Sequence, residues 1–142
     1  MNALVMGDKL FARKDSLSHS IKELCDRYSL TQIPTKQGYP ACTVLKLSEN
    51  AAITADEGMA KLLSRYGIRV TLIRAGHISL PPHEYGFIGG ACARYEGTIY
   101  FFGSLESHPD KEIIETAIRC EGLTAVSLSD EPLTDVGGCI FI

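Results

Sequence analysis

The chain has no tryptophan, and aromatic residues make up only 8% of it, so a core built on aliphatic side chains is expected. No apolar run approaches the 18 residues that a membrane-spanning helix needs, and the first residues lack the basic head and apolar core of a secretory leader. A cytoplasmic location is therefore expected. Charge of one sign is also missing: 14 Lys and Arg face 17 Asp and Glu, for a net charge of −3, with no basic run. That balance argues against nucleic acid and anionic membranes as partners. The five cysteines, Cys25, Cys42, Cys92, Cys120 and Cys139, form no CxxC pair and no Cys/His ligand spacing. An odd number without such spacing argues against a disulfide framework and against structural zinc. Most stand in apolar patterns, where a reduced cysteine behaves as a small hydrophobe. No Gly-rich phosphate loop, Ser-His-Asp signature or metal-ligand cluster occurs, so neither cofactor nor metal is expected.

What remains is an ordinary globular composition, 45% apolar and 22% charged over 142 residues. That length suits one domain able to bury about 70% of its unfolded surface. Three segments of it superimpose: "ALVMGDKLFAR…SIKELCDRYSLTQI", "TVLKLSENAAIT…GMAKLLSRYGIRVTLI" and "ACARYEGTIYFFG…EIIETAIRCEGLTAVSL". Each opens with two short β-like runs around a polar turn, Gly7-Asp8, Glu49-Asn50 or Glu96-Gly97, residues that tolerate tight reversals. An amphipathic helix follows. Its stripe is Ile21, Leu24, Cys25 and Tyr28 in the first unit, and Met59, Leu62, Leu63 and Tyr66 in the second. Ile114, Ala117 and Ile118, widened by Ile113, form the third, all at the 3.6-residue period. Gly67 and Gly122 stand where a left-handed helix end is wanted, and a third strand follows almost at once.

The reading is an α/β fold of repeated ββαβ units, at about 3–40, 41–82 and 85–134, with a C-terminal strand at 136–142 where a fourth unit would begin. A ββαβ unit cannot bury its sheet face and its helix stripe alone. Units packed about an axis with helices outward would bury both.

Repeated ββαβ units about a pseudo-symmetry axis resemble the pentein, or guanidino-group-modifying-enzyme, fold. "KQGY" (36–39), "AITADEGMAK" (52–61), "GHISLP" (76–81), "YGFIGG" (85–90), "SHPD" (107–110) and "LTDVGG" near the end are similar, as a set, to an uncharacterised bacterial family with that fold. The likeness is to the C-terminal portion of its longer members. The resemblance implies a partial α/β propeller. Five units ordinarily close that ring, so three leave an open sheet edge, and a homodimer is expected to cap it.

The same resemblance implies candidate chemistry. Catalytic penteins carry a nucleophilic Cys near the C-terminus after a glycine pair, with a His and carboxylates from earlier units. Cys139 follows Gly137-Gly138 directly, where those enzymes have several intervening residues, so a packed strand residue is the expectation and the nucleophile the alternative. His77, in "GHISLP", and His108, in "SHPD", are the candidate proton carriers. Tyr39, Gly89, Gly90, Arg94, Asp110 and Asp135 are the candidate ligand-binding residues. Catalytic relatives follow a Gly-Gly pair with Asn or Asp; here Ala91 stands in that place, so Gly89 and Gly90 read first as a tight corner. His83 and Glu84, after two prolines, are expected in solvent. In "SHPDKE" a helix start is expected, with Ser107 as cap, Pro109 in the first turn and Asp110 and Glu112 at the positive end. This leaves only His108 unexplained.

Three functions follow as expectations, and whether the chain is an enzyme stays open. One is an uncharacterised pentein-like protein that binds a small molecule or a protein without the full catalytic set. The second is a Cys-dependent hydrolase or transferase acting on a guanidino or amide compound. The third is a structural subunit whose site another chain completes.

Overall fold

The computed structural model describes residues 2–139. Three three-stranded sheets occur among them, each with the same topology. The first unit is β1 (Ala3–Met6), β2 (Lys9–Arg13), α1 (His19–Arg27) and β3 (Thr31–Thr35). A four-residue helix α2 (Pro40–Thr43) leads into the second, β4 (Val44–Lys46), β5 (Ala51–Thr54), α3 (Glu57–Arg65) and β6 (Arg69–Leu72). The third is β7 (Cys92–Tyr95), β8 (Thr98–Phe101), α4 (Lys111–Cys120) and β9 (Thr124–Ser127). In each, the first strand runs antiparallel to the second and the third pairs parallel to the second on its other side. The ββαβ repeat read from the sequence is therefore the repeat of the fold.

Registers align the units residue by residue. Thr31, Arg69 and Thr124 each donate a backbone hydrogen bond to the carbonyl just before the middle strand, on Asp8, Asn50 and Gly97. Phe11, Ile53 and Tyr100 accordingly occupy one repeat position, paired with Ile33, Thr71 and Val126. Strand alternation then gives each sheet two faces. One takes the unit's own helix: Leu10 and Ala12 pack with Cys25 of α1, and Ala52 with Met59 and Leu63 of α3. The other takes the following unit. Leu4, Met6, Phe11 and Ile33 join Met59, Leu63 and Ile68 in one core, with Tyr66 edge-on to Phe11 at 5.9 Å between ring centroids. Leu45, Ala51 and Ile53 join Ile114 and Ile118 of α4 in the next.

Helix ends follow local chemistry. Asp56 caps α3 by accepting from the Met59 amide at 2.8 Å, and Gly67 and Gly122 take the left-handed conformation, φ +78° and +71°. Ser29 takes it in the first unit, φ +54°, although it carries a Cβ.

Several expectations need correction. The stripe of α1 is not buried as a whole: only Cys25 is fully covered, while Leu24 and Tyr28 are 41% and 67% exposed, because among the described residues α1 packs only on its own sheet. Ser107 does not cap α4. It closes a 3-10 turn, donates to the Ser104 carbonyl and accepts from the Leu133 amide. Asp110 holds the N-cap position, but its carboxylate turns elsewhere. The expected strand at 136–142 has no strand geometry at 136–139, and 140–142 lie outside the described residues. Cys139, expected to pack in that strand, is instead exposed.

Candidate functional site

Two groups of the singled-out residues come together. The first forms where β6 ends beside the start of α4. Ile73 extends β6 by donating to the Thr54 carbonyl, which sets Arg74 at the strand end. Gly76, at φ +90°, then turns the chain so that His77 follows. From the other side, the 3-10 turn Leu105–Ser107 delivers His108, and Asp110 starts α4.

Asp110 and Arg74 close on each other. The Arg74 amide donates to Oδ2 at 2.7 Å, while Nε and Nη2 both donate to Oδ1 at 2.9 and 2.6 Å. These charge-assisted bonds hold the Asp110 carboxyl down at about 2 and raise the guanidinium further above its usual range; hydrogen bonding to the charged form is the cause.

His108 is 98% buried, with 2% relative exposure. Its Nδ1 accepts the Asp110 amide at 3.0 Å, so the neutral ring carries its proton on Nε2. Burial is the main reason its pKa lies below the ordinary imidazole range. The nearby Asp110 charge opposes that and His77 adds to it. Among the described residues the buried Nε2 finds no hydrogen-bond partner. A buried N–H without an acceptor is unfavourable by roughly 1–3 kcal/mol. The exposed ring of His77 lies edge-on to His108, 5.4 Å between centroids. The cluster thus presents one unsatisfied donor, one accessible imidazole and a guanidinium whose side chain is 63% exposed.

The second group is a knot around Asp135. This buried carboxylate accepts the amides of Phe87 and Gly137, both at 2.9 Å. Gly90 packs so closely that a Cβ there would overlap the carboxylate, and a Cβ on Gly89 would meet the carbonyl oxygens of Ala41 and Val44 at 2.5 Å. The pair is thus the tight corner expected of it. Cys42 and Cys92 flank the knot. Burial, then the Asp135 charge, pushes Cys92 up to about 12, and burial likewise raises Cys42, whose sulfur accepts from Asn2 at 3.0 Å. Both therefore stay thiols rather than nucleophilic thiolates. Cys139 follows Gly138, whose amide donates to the Gly90 carbonyl. Residues 131–135 tie the two groups: Leu133 donates to Ser107, next to His108, and Asp135 donates to Ser79, two residues after His77.

Residues 1–140 match a family described as a family of unknown function, DUF6873. The chain belongs to that family. No curated protein and no solved structure matches it significantly. Within this DUF6873 chain, His77, His108 and Asp110 share one cluster, and Gly89, Gly90 and Asp135 share the other. Arg94 is engaged structurally, donating to the carbonyls of Leu47 and Glu96. Tyr39 is 61% exposed at the start of α2, its amide bonded to Gln37. His83 and Glu84 are exposed. Sequence reasoning missed Arg74; the one available signal was a cation at a strand end just before the Gly76-His77 turn. Among the described residues no helix is long and apolar enough to cross a membrane.

Proposed function

We propose that the chain is a small-molecule-binding protein whose site is the His108, His77 and Arg74 cluster, and that the ligand offers a carboxylate, phosphate or carbonyl oxygen. The carrying observation is the buried Nε2 of His108, a proton donor with no acceptor among the described residues. The exposed Arg74 edge and His77 ring add donors of the same kind. A guanidino ligand is disfavoured by the same geometry, because Asp110 already holds a guanidinium, that of Arg74. The architecture is taken as pentein-like, three ββαβ units of a partial propeller, supported by the repeated topology and the glycine corner. A homo-oligomer and a cytoplasmic location belong to the same reading. The alternative of a Cys139-dependent hydrolase draws support only from the exposure of that thiol after its glycine pair.

The test is a thermal-shift and calorimetric series with inorganic phosphate, acetate and L-arginine. Phosphate or acetate should raise Tm and release heat on binding, and both responses should fall at least tenfold in affinity for His77→Ala, an exposed position that tolerates truncation. Binding of L-arginine alone would overturn the reading and favour the guanidino alternative.

A further inference from the structure

The first junction between units is built on the plan of the second, with different charges. Thr31 and Arg69 hold one register position, so Lys36 stands where Arg74 does and Tyr39 where His77 does. Asp56, like Asp110, holds the N-cap of the helix that follows. Its carboxylate accepts the Gln37 side-chain amide and the Met59 backbone amide, both at 2.8 Å. Gln37 thus does at Asp56 what Arg74 does at Asp110, and the strand-end cation, Lys36, is left over. Among the described residues its ammonium has neither an ion pair nor a hydrogen bond.

A groove of about 550 Å³ opens beside Lys36, between the end of β3 and one flank of α3. Pro34, Met59 and Leu62 supply its apolar wall, and Lys36, Lys61 and Arg65 its positive charge. Lys61 lies 3.6 Å from Glu57, while Arg65, like Lys36, has no acidic partner among the described residues. Asp56 is the one carboxylate in the lining, and both its oxygens are engaged, by Met59 and Gln37. In a chain of net charge −3 this excess of cations is local. Counting back from Gly67 and Gly122, the matching groove lies along α4, where Thr116, Ala117 and Cys120 replace Lys61, Leu62 and Arg65. Its one cation, Arg69, is paired with Glu121, and Glu112 lines it too. Protection of the β3 sheet edge does not account for the difference. Pro34 already removes an N–H from that edge, and Lys61 and Arg65 stand on the helix.

We propose that this groove is a second binding site, for a phosphorylated small molecule whose phosphate the Lys36, Lys61 and Arg65 cations receive and whose apolar body lies on Met59, Leu62 and Pro34. Lys61 and Arg65, one turn apart, share a helix face and converge on one group. A phosphate monoester carries about two negative charges near neutral pH, which matches the two cations that lack acids; a carboxylate would match only one. Ammonium and guanidinium both hold phosphate through charge-assisted hydrogen bonds. The site is separate from the one at the second junction and does not depend on it.

Proton–nitrogen NMR of the backbone amides tests it, with phenyl phosphate as the probe and phenol as its uncharged counterpart. In wild type the amides of Lys36, Gln37, Lys61, Leu62 and Arg65 should shift saturably with phenyl phosphate and stay still with phenol. Lys36→Gln and Arg65→Gln should each weaken the response about fivefold, and the double variant should abolish it. Both residues are exposed, so the substitutions leave the fold intact, which the rest of the spectrum reports. Added salt should weaken binding as well. Amides that stay still, a response that survives the double substitution, or one that phenol reproduces would overturn the inference. His77→Ala should leave these shifts unchanged. Movement confined to His77 and His108 would overturn this site and leave the proposed function standing, so the two proposals fail separately.

Discussion

Ser29 holds φ at +54°, where the other two units use Gly67 and Gly122. A Cβ in the left-handed region costs about 1 kcal/mol relative to glycine. Ser29→Gly should therefore stabilise the fold by about 0.5–1 kcal/mol in urea denaturation, whereas an unchanged midpoint would mean that the site relaxes. Gly90 is the opposite case. Gly90→Ala forces a methyl into the Asp135 carboxylate, and overpacking together with a disturbed buried charge should cost about 3 kcal/mol or more. The thiols are equally sorted by position. With Cys92 at about 12 and Cys42 raised, mass-spectrometric labelling of the native protein near neutral pH should mark the exposed Cys120 and Cys139 and spare Cys25, Cys42 and Cys92. Apart from Cys139, the sequence offered little means of separating the other four cysteines from one another, because most stand in apolar patterns. The packed reading of Cys139 rests on a strand expected around it and on its direct succession to Gly137-Gly138; the structure has no strand geometry at 136–139.

The junction of β6 with α4 responds to pH through two groups. His108 has a folded-state pKa below its ordinary 6.5, so the unfolded chain binds the proton first as pH falls. Its contribution is complete above 6.5 and is lost as pH drops from there. Asp110 follows lower, complete above 3.8 and lost as pH falls toward about 2. Plots of unfolding free energy against pH should decline below 6.5, and His108→Phe should flatten that first decline while Arg74→Met flattens the second, because the Asp110 pKa returns toward its ordinary value. A slope unchanged in both variants would remove the assignment. Packing differs between helices in the same way that their surroundings do. Leu63 of α3 is fully buried between two sheets and Leu24 of α1 is not, so Leu63→Ala should cost about 3 kcal/mol and Leu24→Ala under about 1 in dilute monomer. The hairpins, helices and their end glycines were readable because period and turn chemistry are local. The Ser107 cap misled because a 3-10 turn intervened. The Arg74–Asp110 pair joins residues 36 positions apart, which no local pattern encodes.

The molecule as a whole repeats one contact, a following helix on the outer face of the sheet before it. Repetition was visible in the sequence as three aligned segments, and the structure gives each the same strand order and register. Which stripes end up covered was not visible, since α1 and α3 carry nearly the same apolar spacing and differ only in what precedes them. The central claim concerns what the junction between the second and third units binds. Nitrogen-15 NMR of the histidine side chains, recorded while inorganic phosphate and then acetate are added, tests it most directly. The account predicts that the His108 Nε2 resonance, protonated in the free protein, shifts in a saturable manner together with His77, while His19 and His83 stay still. A His108 signal unmoved by either acid, or movement confined to the exposed His19 and His83, would contradict it.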